Sequence, residues 1–194
     1  MVQKEEMDIL YFKKYARYVK QNADSKSAIN LFLTFKKCRK SCYIHFSSRY
    51  KKSFLHILNY YKMHYEMNHK NGIIYCIISQ YAIPEEVKHV FYHSKDDIKN
   101  PHIMGKFLGY PSFINIRKVS TMKEIGSIAF YFMKNKKEKK KEIIYGFRIP
   151  NAKITTEIIA KMNTLLKKYK KCIQKYLGIL YPEFTIGMNI QLNP

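Results

Sequence analysis

The chain has 194 residues, 46% hydrophobic and 15% aromatic, which is enough apolar material to bury a core and excludes intrinsic disorder. Its 36 Lys and Arg stand against 14 Asp and Glu, giving a net charge of +22. A charge of this size repels itself, and a polyanionic partner relieves that repulsion. The composition therefore favours nucleic acid, DNA or RNA, or an acidic protein surface as the partner.

Lysine supplies most of this charge. Lysine contacts phosphate as a flexible point charge, whereas the planar fork of arginine suits the reading of base edges. The lysine excess therefore favours backbone contacts over sequence readout. An AT-rich genome also inflates lysine codons and accounts for part of the preference, but it does not explain the shortage of acids. The chain has 31 lysines and five arginines, namely Arg17, Arg39, Arg49, Arg117 and Arg148.

The cysteine count and the terminal sequence bear on the compartment. Four cysteines, Cys38, Cys42, Cys76 and Cys172, do not make a disulfide framework in a chain of this length. Residues 1–6 lack the apolar core of a signal peptide. No apolar run approaches the roughly 20 residues of a membrane helix. We expect an intracellular protein of a reducing compartment, without a membrane span, or a component of a virion assembled there.

Residues 1–70 predict helices. Residues 8–19 form a short amphipathic candidate. Asp24 or Ser25 is placed to cap a second helix. The apolar face of this second helix would comprise Ala28, Leu31, Phe32, Phe35, Cys38 and Cys42.

A third helix is predicted after Ser47 or Ser48, either of which is placed to cap it. Asn71–Gly72 is placed to end it. Its apolar residues at helical spacing are Phe54, Ile57, Leu58, Tyr61 and Tyr65.

The periodicity changes after Gly72. Residues 73–78 are β-branched and short, which predicts a buried strand, and Pro84 followed by two glutamates predicts the start of a helix. Residues 127–133 and 142–149 are apolar and flank a charged tip, which is typical of a β-hairpin.

The C-terminal third predicts one long amphipathic helix that begins at Thr155 or Thr156 and ends at Gly178, followed by a strand at residues 185–192. The whole pattern predicts one α+β domain over residues 1–194. It has a helical part at 1–70 and a mixed part at 73–194, in which a small mixed or antiparallel sheet contains the hairpin.

The hairpin tip is the strongest local candidate for phosphate binding. Six lysines on one projecting loop are more than a solvated tip needs to keep an edge strand from aggregating, and hairpin arms do enter nucleic-acid grooves. The six are Lys134, Lys136, Lys137, Lys139, Lys140 and Lys141.

Two further basic clusters support the same interpretation. Lys36, Lys37, Arg39 and Lys40 end the predicted second helix, where cations also suit the helix dipole. Arg49, Lys51 and Lys52 open the predicted third helix, where cations oppose the dipole and form a better anion site. By contrast, residues 167–171 place their lysines opposite an apolar stripe, as an ordinary solvated face does.

Aromatic residues interleaved with lysine, as at residues 11–15 and 60–62, could stack on unpaired bases. Core and interface packing is the interpretation that we favour for them.

Metal and enzyme chemistry receive little support. Cys38, Cys42 and His45 lack the second ligand pair of a zinc site. Glu86, His89 and His93 share a helical face and are the remaining weak metal candidates, but they are not an H-E-x-x-H motif. No Walker loop, G-x-S-x-G or dinucleotide fingerprint occurs. We therefore expect no metal, no cofactor and no catalytic residue.

One segment resembles sequences elsewhere. Residues 102–111, HIMGKFLGYP, resemble an H-x-x-G-x-x-L-G-Y-P stretch of uncharacterised microbial and viral proteins. The lysine- and tyrosine-rich, acid-poor composition looks like that of proteins from AT-rich large DNA viruses. The resemblance implies no activity; locally, the segment predicts a short helix ending at Gly109.

Three functions remain open from the sequence. The first is a non-enzymatic, basic structural or packaging protein of a nucleic-acid-containing assembly, most simply a viral particle. The second is a ribosome-associated RNA-binding protein of mitochondrial type. The third is a nucleic-acid enzyme that uses the His89–His93 region.

Overall fold

A computed structural model describes residues 25–93, 101–109, 125–133, 141–150, 154–177 and 183–192. The predicted helix at residues 8–19 and the hairpin tip at residues 134–140 lie outside these ranges. The helices are α1 (Ser25–Phe35), α2 (Lys51–Tyr60), α3 (Glu85–His93), α4 (Pro101–Phe107) and α5 (Thr156–Leu177). The strands are β1 (Ser41–Ser47), β2 (His64–Lys70), β3 (Ile73–Ser79), β4 (Ile125–Met133), β5 (Glu142–Pro150) and β6 (Thr185–Gln191).

The six strands form two antiparallel sheets of three. The first sheet has the order β1-β3-β2 and the second has the order β5-β4-β6. Together with the helices, including the long C-terminal α5, they confirm the predicted α+β class. The segregation of helices before residue 70 is wrong, because β1 and β2 both precede it. None of the described helices combines the length and the apolar character needed to cross a bilayer.

The first sheet corrects the predicted third helix. The apolar face of α2 does bury Phe54, Ile57 and Leu58, but the helix stops at Tyr60. Tyr65 lies on β2 instead, and Asn71–Gly72 is the two-residue turn that joins β2 to β3. Both turn residues have positive φ, 52° and 75°. This conformation matches the strand twist of a hairpin, so the Asn-Gly pair reverses the chain rather than ending a helix.

The second sheet confirms the predicted hairpin and the last strand. β4 pairs with β5 on one side and with β6 on the other. Gly187 on β6 lies opposite Tyr131 of β4, and any Cβ at this position would overlap the tyrosine ring. The absence of a side chain at Gly187 therefore lets Tyr131 lie flat against the neighbouring strand.

Helix α1 is the centre of the core. Every side chain from Ile29 to Phe35 is buried, whereas the sequence predicted a single apolar face. The helix contacts β1 and β3 of the first sheet, β5 of the second, and α5. A helix that is enclosed by two sheets and a second helix has no solvent side, so its whole circumference must be compatible with burial.

One continuous apolar cluster extends from α1 to both sheets. Phe46 of β1 stacks on Phe54 of α2 at 4.1 Å between ring centroids, and Phe130 of β4 meets Tyr169 of α5 edge to face. Residues of α1, α2, α5, β1, β3, β4 and β6 belong to this cluster. These elements therefore share one main core.

Two helices end in the same hydrogen-bonded motif. After α1, the backbone N–H of Cys38 donates to Leu33 O and that of Lys37 to Thr34 O; after α2, Met63 and Lys62 donate equivalently to Leu58 and Asn59. This pair of hydrogen bonds is the Schellman motif, in which the residue with left-handed backbone angles is usually glycine. Here it is lysine, with φ of 59° at Lys37 and 52° at Lys62.

Helix α5 follows its predicted pattern. The hydroxyl of Thr155 accepts a hydrogen bond from the backbone N–H of Ile158 at 3.3 Å, so Thr155 is the cap. Met162, Tyr169 and Ile173 are buried in the main core. The stripe read from the sequence therefore is the face by which α5 joins the core.

The cysteines differ from the expectation. Cys38 and Cys42 do not lie on a helix: Cys38 is in the turn after α1 and forms a disulfide with Cys172 of α5, and Cys42 is buried on β1. Disulfides are rare where glutathione keeps thiols reduced, so this bond is in tension with the reducing compartment expected from the sequence.

The four cysteines are expected to separate into two classes under non-reducing conditions. Burial raises the pKa of the Cys42 thiol to about 11 and that of Cys76 well above its usual value, so neither forms the reactive thiolate at pH 8. Iodoacetamide should modify neither thiol in the native protein and both after unfolding. Peptide mapping by mass spectrometry should recover Cys38 linked to Cys172. Four alkylated cysteines in unreduced, unfolded protein would show that the bond does not form.

Lys62→Gly should stabilise the protein. A non-glycine residue in the left-handed region costs about 1–2 kcal/mol, and the extra backbone entropy of glycine in the unfolded chain offsets about 0.5–1 kcal/mol of the gain. The free energy of unfolding from urea titrations should rise by roughly 0.5–1 kcal/mol. The matched control, Lys167→Gly in the exposed middle of α5, should lower it by about 1 kcal/mol. A loss at both positions would contradict the motif at Lys62.

Candidate functional site

The hairpin turn of the first sheet brings together cations that are distant in the chain. A short 3-10 helix, Ser48–Tyr50, connects β1 to α2. The backbone N–H of Ser48 donates to Gly72 O at 2.9 Å, which fastens this helix to the β2–β3 turn. Arg49, Lys51 and Lys52 are exposed beside it, and exposed Lys70 ends β2 at the same turn. We refer to Arg49, Lys51, Lys52 and Lys70 as the turn cluster.

The start of α2 has no side-chain cap. Ser47 and Tyr50 occupy the positions before the 3-10 helix and α2, and neither side chain makes a capping hydrogen bond. The first turn also contains no acidic residue. The guanidinium of Arg49 instead lies over the Tyr50 ring, 4.6 Å from its centroid. The predicted caps are therefore wrong, and the predicted basic opening of the helix is present.

The structure adds Lys70 to the candidates found in the sequence. Lys70 was missed because Asn71–Gly72 was interpreted as the end of a helix. An Asn-Gly pair between two β-rich runs is itself the signal of a hairpin, and it would have placed Lys70 at a turn.

Arg39 is not available to phosphate. Its side chain is buried, with Nη1 donating to the Asn30 side-chain oxygen and Nη2 to Leu108 O at 2.9 Å. These bonds connect the end of α1 to the end of α4. The prediction that Arg39 binds phosphate is therefore wrong, because the tight turn after α1 directs this side chain inward.

The other members of the 36–40 cluster lie in a turn, since α1 ends at Phe35. Lys37 and Lys40 are exposed, and Lys36 is half-buried. The carbonyls of Thr34 and Arg39 both accept hydrogen bonds from the Gln80 amide, at 2.8 and 2.6 Å. The Gln80 amide therefore holds both ends of the turn, and Lys37 and Lys40 are exposed to solvent.

Of the hairpin tip, the structure describes Lys141. This residue is exposed, and its ammonium lies 4.6 Å from the centroid of the Tyr131 ring. The other five tip lysines, Lys134, Lys136, Lys137, Lys139 and Lys140, lie outside the described residues, and their role stays a prediction.

Helix α5 carries a second group of exposed cations. Lys167, Lys168, Lys170 and Lys171 are exposed, whereas Tyr169 between them is buried. This alternation is the ordinary arrangement of a helix with one face on the core. The four lysines therefore form a reference set with the same charge as the turn cluster.

Acids neutralise few of these cations. Within the described ranges, the ion pairs join Lys88 to Glu66 and Glu85, and Lys161 to Glu157. The lysines of the turn cluster and the four of α5 have no carboxylate partner there. Their charge is therefore left to solvent, to counterions or to an anionic ligand.

The metal candidates do not assemble a site in the described part of the chain, where no three His, Cys, Asp or Glu side chains come together as ligands. His89 and His93 lie on α3 with ring centroids 4.8 Å apart, and Glu86 is exposed on the same helix. Both histidines are exposed at the end of α3, and neither belongs to a buried constellation.

One acid on the first sheet is held by its neighbours. The Tyr92 hydroxyl donates to Glu66 at 2.7 Å, and the Lys88 ammonium lies 3.7 Å from the same carboxylate. Partial burial, followed by the Glu66 hydrogen bond, raises the pKa of Tyr92 to about 12. The phenol therefore stays a hydrogen-bond donor throughout the physiological range, and Glu66 stays engaged.

No family model, curated protein or solved structure matches this chain.

Arg39→Ala should destabilise the protein without weakening its binding to polyanions. The substitution leaves the Asn30 side chain and the Leu108 carbonyl without their donor, and hydrogen bonds from a charged group contribute about 1.5–3 kcal/mol each. We expect the free energy of unfolding to fall by about 3 kcal/mol. Lys40→Ala, exposed on the same turn, should change it by less than about 0.5 kcal/mol. A stable Arg39→Ala variant with reduced affinity for heparin would restore the phosphate interpretation.

Proposed function

We propose that this protein is a non-enzymatic, basic component of a nucleic-acid-containing assembly, most simply a viral particle, that binds phosphate backbones with little sequence preference. In this proposal it acts inside the cell or in a particle assembled there. DNA and RNA are both suitable ligands, because the shared feature is the phosphate.

The proposal is supported chiefly by the exposed positive charge that no acidic side chain neutralises. The chain has a net charge of +22, and the turn-cluster and α5 lysines have no carboxylate partners in the described ranges. Surface cations that lack acidic partners repel one another, and this repulsion destabilises the free protein. A polyanion removes that cost, so the charge distribution is best explained by a bound state.

Counterion release supplies the binding free energy in this mechanism. Each lysine that neutralises a phosphate frees a condensed cation from the nucleic acid, so affinity falls steeply with salt. Arg49 is the one arginine of the turn cluster, and its guanidinium lies on the Tyr50 ring. The turn cluster therefore has few guanidinium groups that could form bidentate hydrogen bonds with base edges, which supports binding without sequence readout. The lysine-rich tip at residues 134–141 belongs to the same proposal on sequence grounds.

A comparison of two charge-matched variants tests the proposal. One variant replaces Arg49, Lys51, Lys52 and Lys70 with Ser; the other replaces Lys167, Lys168, Lys170 and Lys171 with Ser. Each loses four positive charges from exposed positions, so the long-range effect on affinity is similar. We expect the turn-cluster variant to lose more affinity for a 20-base-pair duplex, with the salt slope falling by about 0.9 for each phosphate contact removed.

Filter binding at 50 and 200 mM salt gives the slopes, and thermal unfolding confirms that both variants fold. Equal losses in the two variants would indicate that only net charge matters. Affinity of the wild-type protein that barely responds to salt would refute polyanion binding.

A further inference from the structure

The outward face of the first sheet is covered along half of its length. On β3, Ile74, Cys76 and Ile78 enter the main core, so Ile73, Tyr75 and Ile77 lie on the opposite face. Ile77 is fully buried in a second apolar cluster, formed with residues of α3, α4 and the segment between β3 and α3. Helices α3 and α4 therefore cover the end of the face that is distant from the hairpin turn.

The part of this face nearer the hairpin turn presents aromatic rings to solvent, as does Tyr43 on the edge strand β1, directly opposite Ile77. Tyr43 and Ile73 retain 38% and 37% of their exposure, and His45 is also exposed. Tyr75 lies directly opposite His45 on one side and Asn68 on the other. Directly opposed residues of an antiparallel sheet share a face. We refer to Tyr43, His45, Asn68, Lys70, Ile73 and Tyr75 as the open half of the sheet.

The rings of the open half are neighbours. The centroids of Tyr43 and Tyr75 are 6.4 Å apart, and their planes differ by 25°. The His45 ring lies 6.2 Å from Tyr75. Three aromatic side chains from two adjacent strands therefore make one continuous surface on a rigid support.

Charge around the open half is arranged asymmetrically. Lys70 pairs with Ile73 in the last row before the turn, and Ser48 fastens the turn cluster to that same end. Glu66 lies in the same row as Ile77 and Tyr43, and it is engaged by Tyr92 and Lys88. A strand that crosses the rings would therefore meet cations at the turn and would not face a free carboxylate on this sheet.

We propose that the open half binds single-stranded nucleic acid, with the rings of Tyr43 and Tyr75 stacking on bases and the turn cluster contacting the adjoining phosphates. This inference rests on the proposed function and specifies its ligand. Bases of a single strand expose their faces to aromatic side chains, whereas those of a duplex are stacked within the helix. The adjacent cations favour this ligand over a protein partner, since the centres of protein interfaces are depleted of charge.

The test compares Tyr43→Ala and Tyr75→Ala with Tyr→Phe at the same positions and with Tyr81→Ala. Tyr81 is 61% exposed and lies beyond the end of β3, so its loss controls for removing a surface tyrosine. The probes are fluorescein-labelled dT20, an abasic 20-mer of equal charge, and a 20-base-pair duplex. Fluorescence anisotropy at two salt concentrations measures affinity and slope.

Tyr43→Ala and Tyr75→Ala should each bind dT20 about 5- to 150-fold more weakly, which corresponds to the loss of one base–aromatic stack. Its affinity for the abasic 20-mer and its salt slope should not change. The Phe variants and Tyr81→Ala should bind dT20 as the wild-type protein does. Ultraviolet crosslinking of the unmodified protein to an iodouracil 20-mer should attach the probe to Tyr43 or Tyr75, a readout that does not depend on how any variant folds.

Unchanged dT20 affinity in both Ala variants, together with crosslinks elsewhere, would overturn the stacking proposal. If the turn-cluster variant still loses duplex affinity, the general polyanion function survives that result. If the wild-type protein binds neither dT20 nor duplex, both proposals fail together.

Discussion

Enclosure of α1 is the constraint on which the rest of the described structure depends. A helix with buried side chains at every position from Ile29 to Phe35 needs partners around its whole circumference. These partners are β1 and β3 of the first sheet, β5 of the second sheet, and helix α5. The two small sheets have few residues each and bury little surface alone. Their common packing on α1 makes them one core.

The end of α1 transmits this arrangement to the rest of the chain. The turn after Phe35 holds Cys38, which is bonded to α5, and Arg39, which reaches the end of α4. A left-handed Lys37 makes the turn tight enough to direct both side chains inward. One short segment therefore fixes α5 and α4 relative to the central helix, and one of its two contacts is made by a buried arginine.

The surface that we propose to be functional differs from the core in its unpaired charge and exposed rings. The turn cluster and the α5 lysines have no carboxylate partner in the described ranges, and the open half of the sheet has exposed aromatic rings. α3 and α4 bury Ile77 but do not extend over Tyr75 and Tyr43. The hairpin turn joins the two features, because it carries Lys70 and anchors the 3-10 helix of Arg49. In the function that we propose, stacking and phosphate contact would therefore occur at one end of the first sheet.

The sequence by itself determined the elements whose periodicity is strong and local. Helix α5 with a cap at Thr155 or Thr156, strand β3, the pairing of β4 with β5, and the last strand follow from apolar spacing and turn chemistry. The basic clusters were also evident, since charge is a property of composition.

The tertiary structure decided what depends on distant contacts. It ended α1 at Phe35 and α2 at Tyr60, paired Cys38 with Cys172 and turned Arg39 inward. Burial and cross-strand partners arise only when segments far apart in the chain meet, and the linear pattern does not contain those meetings.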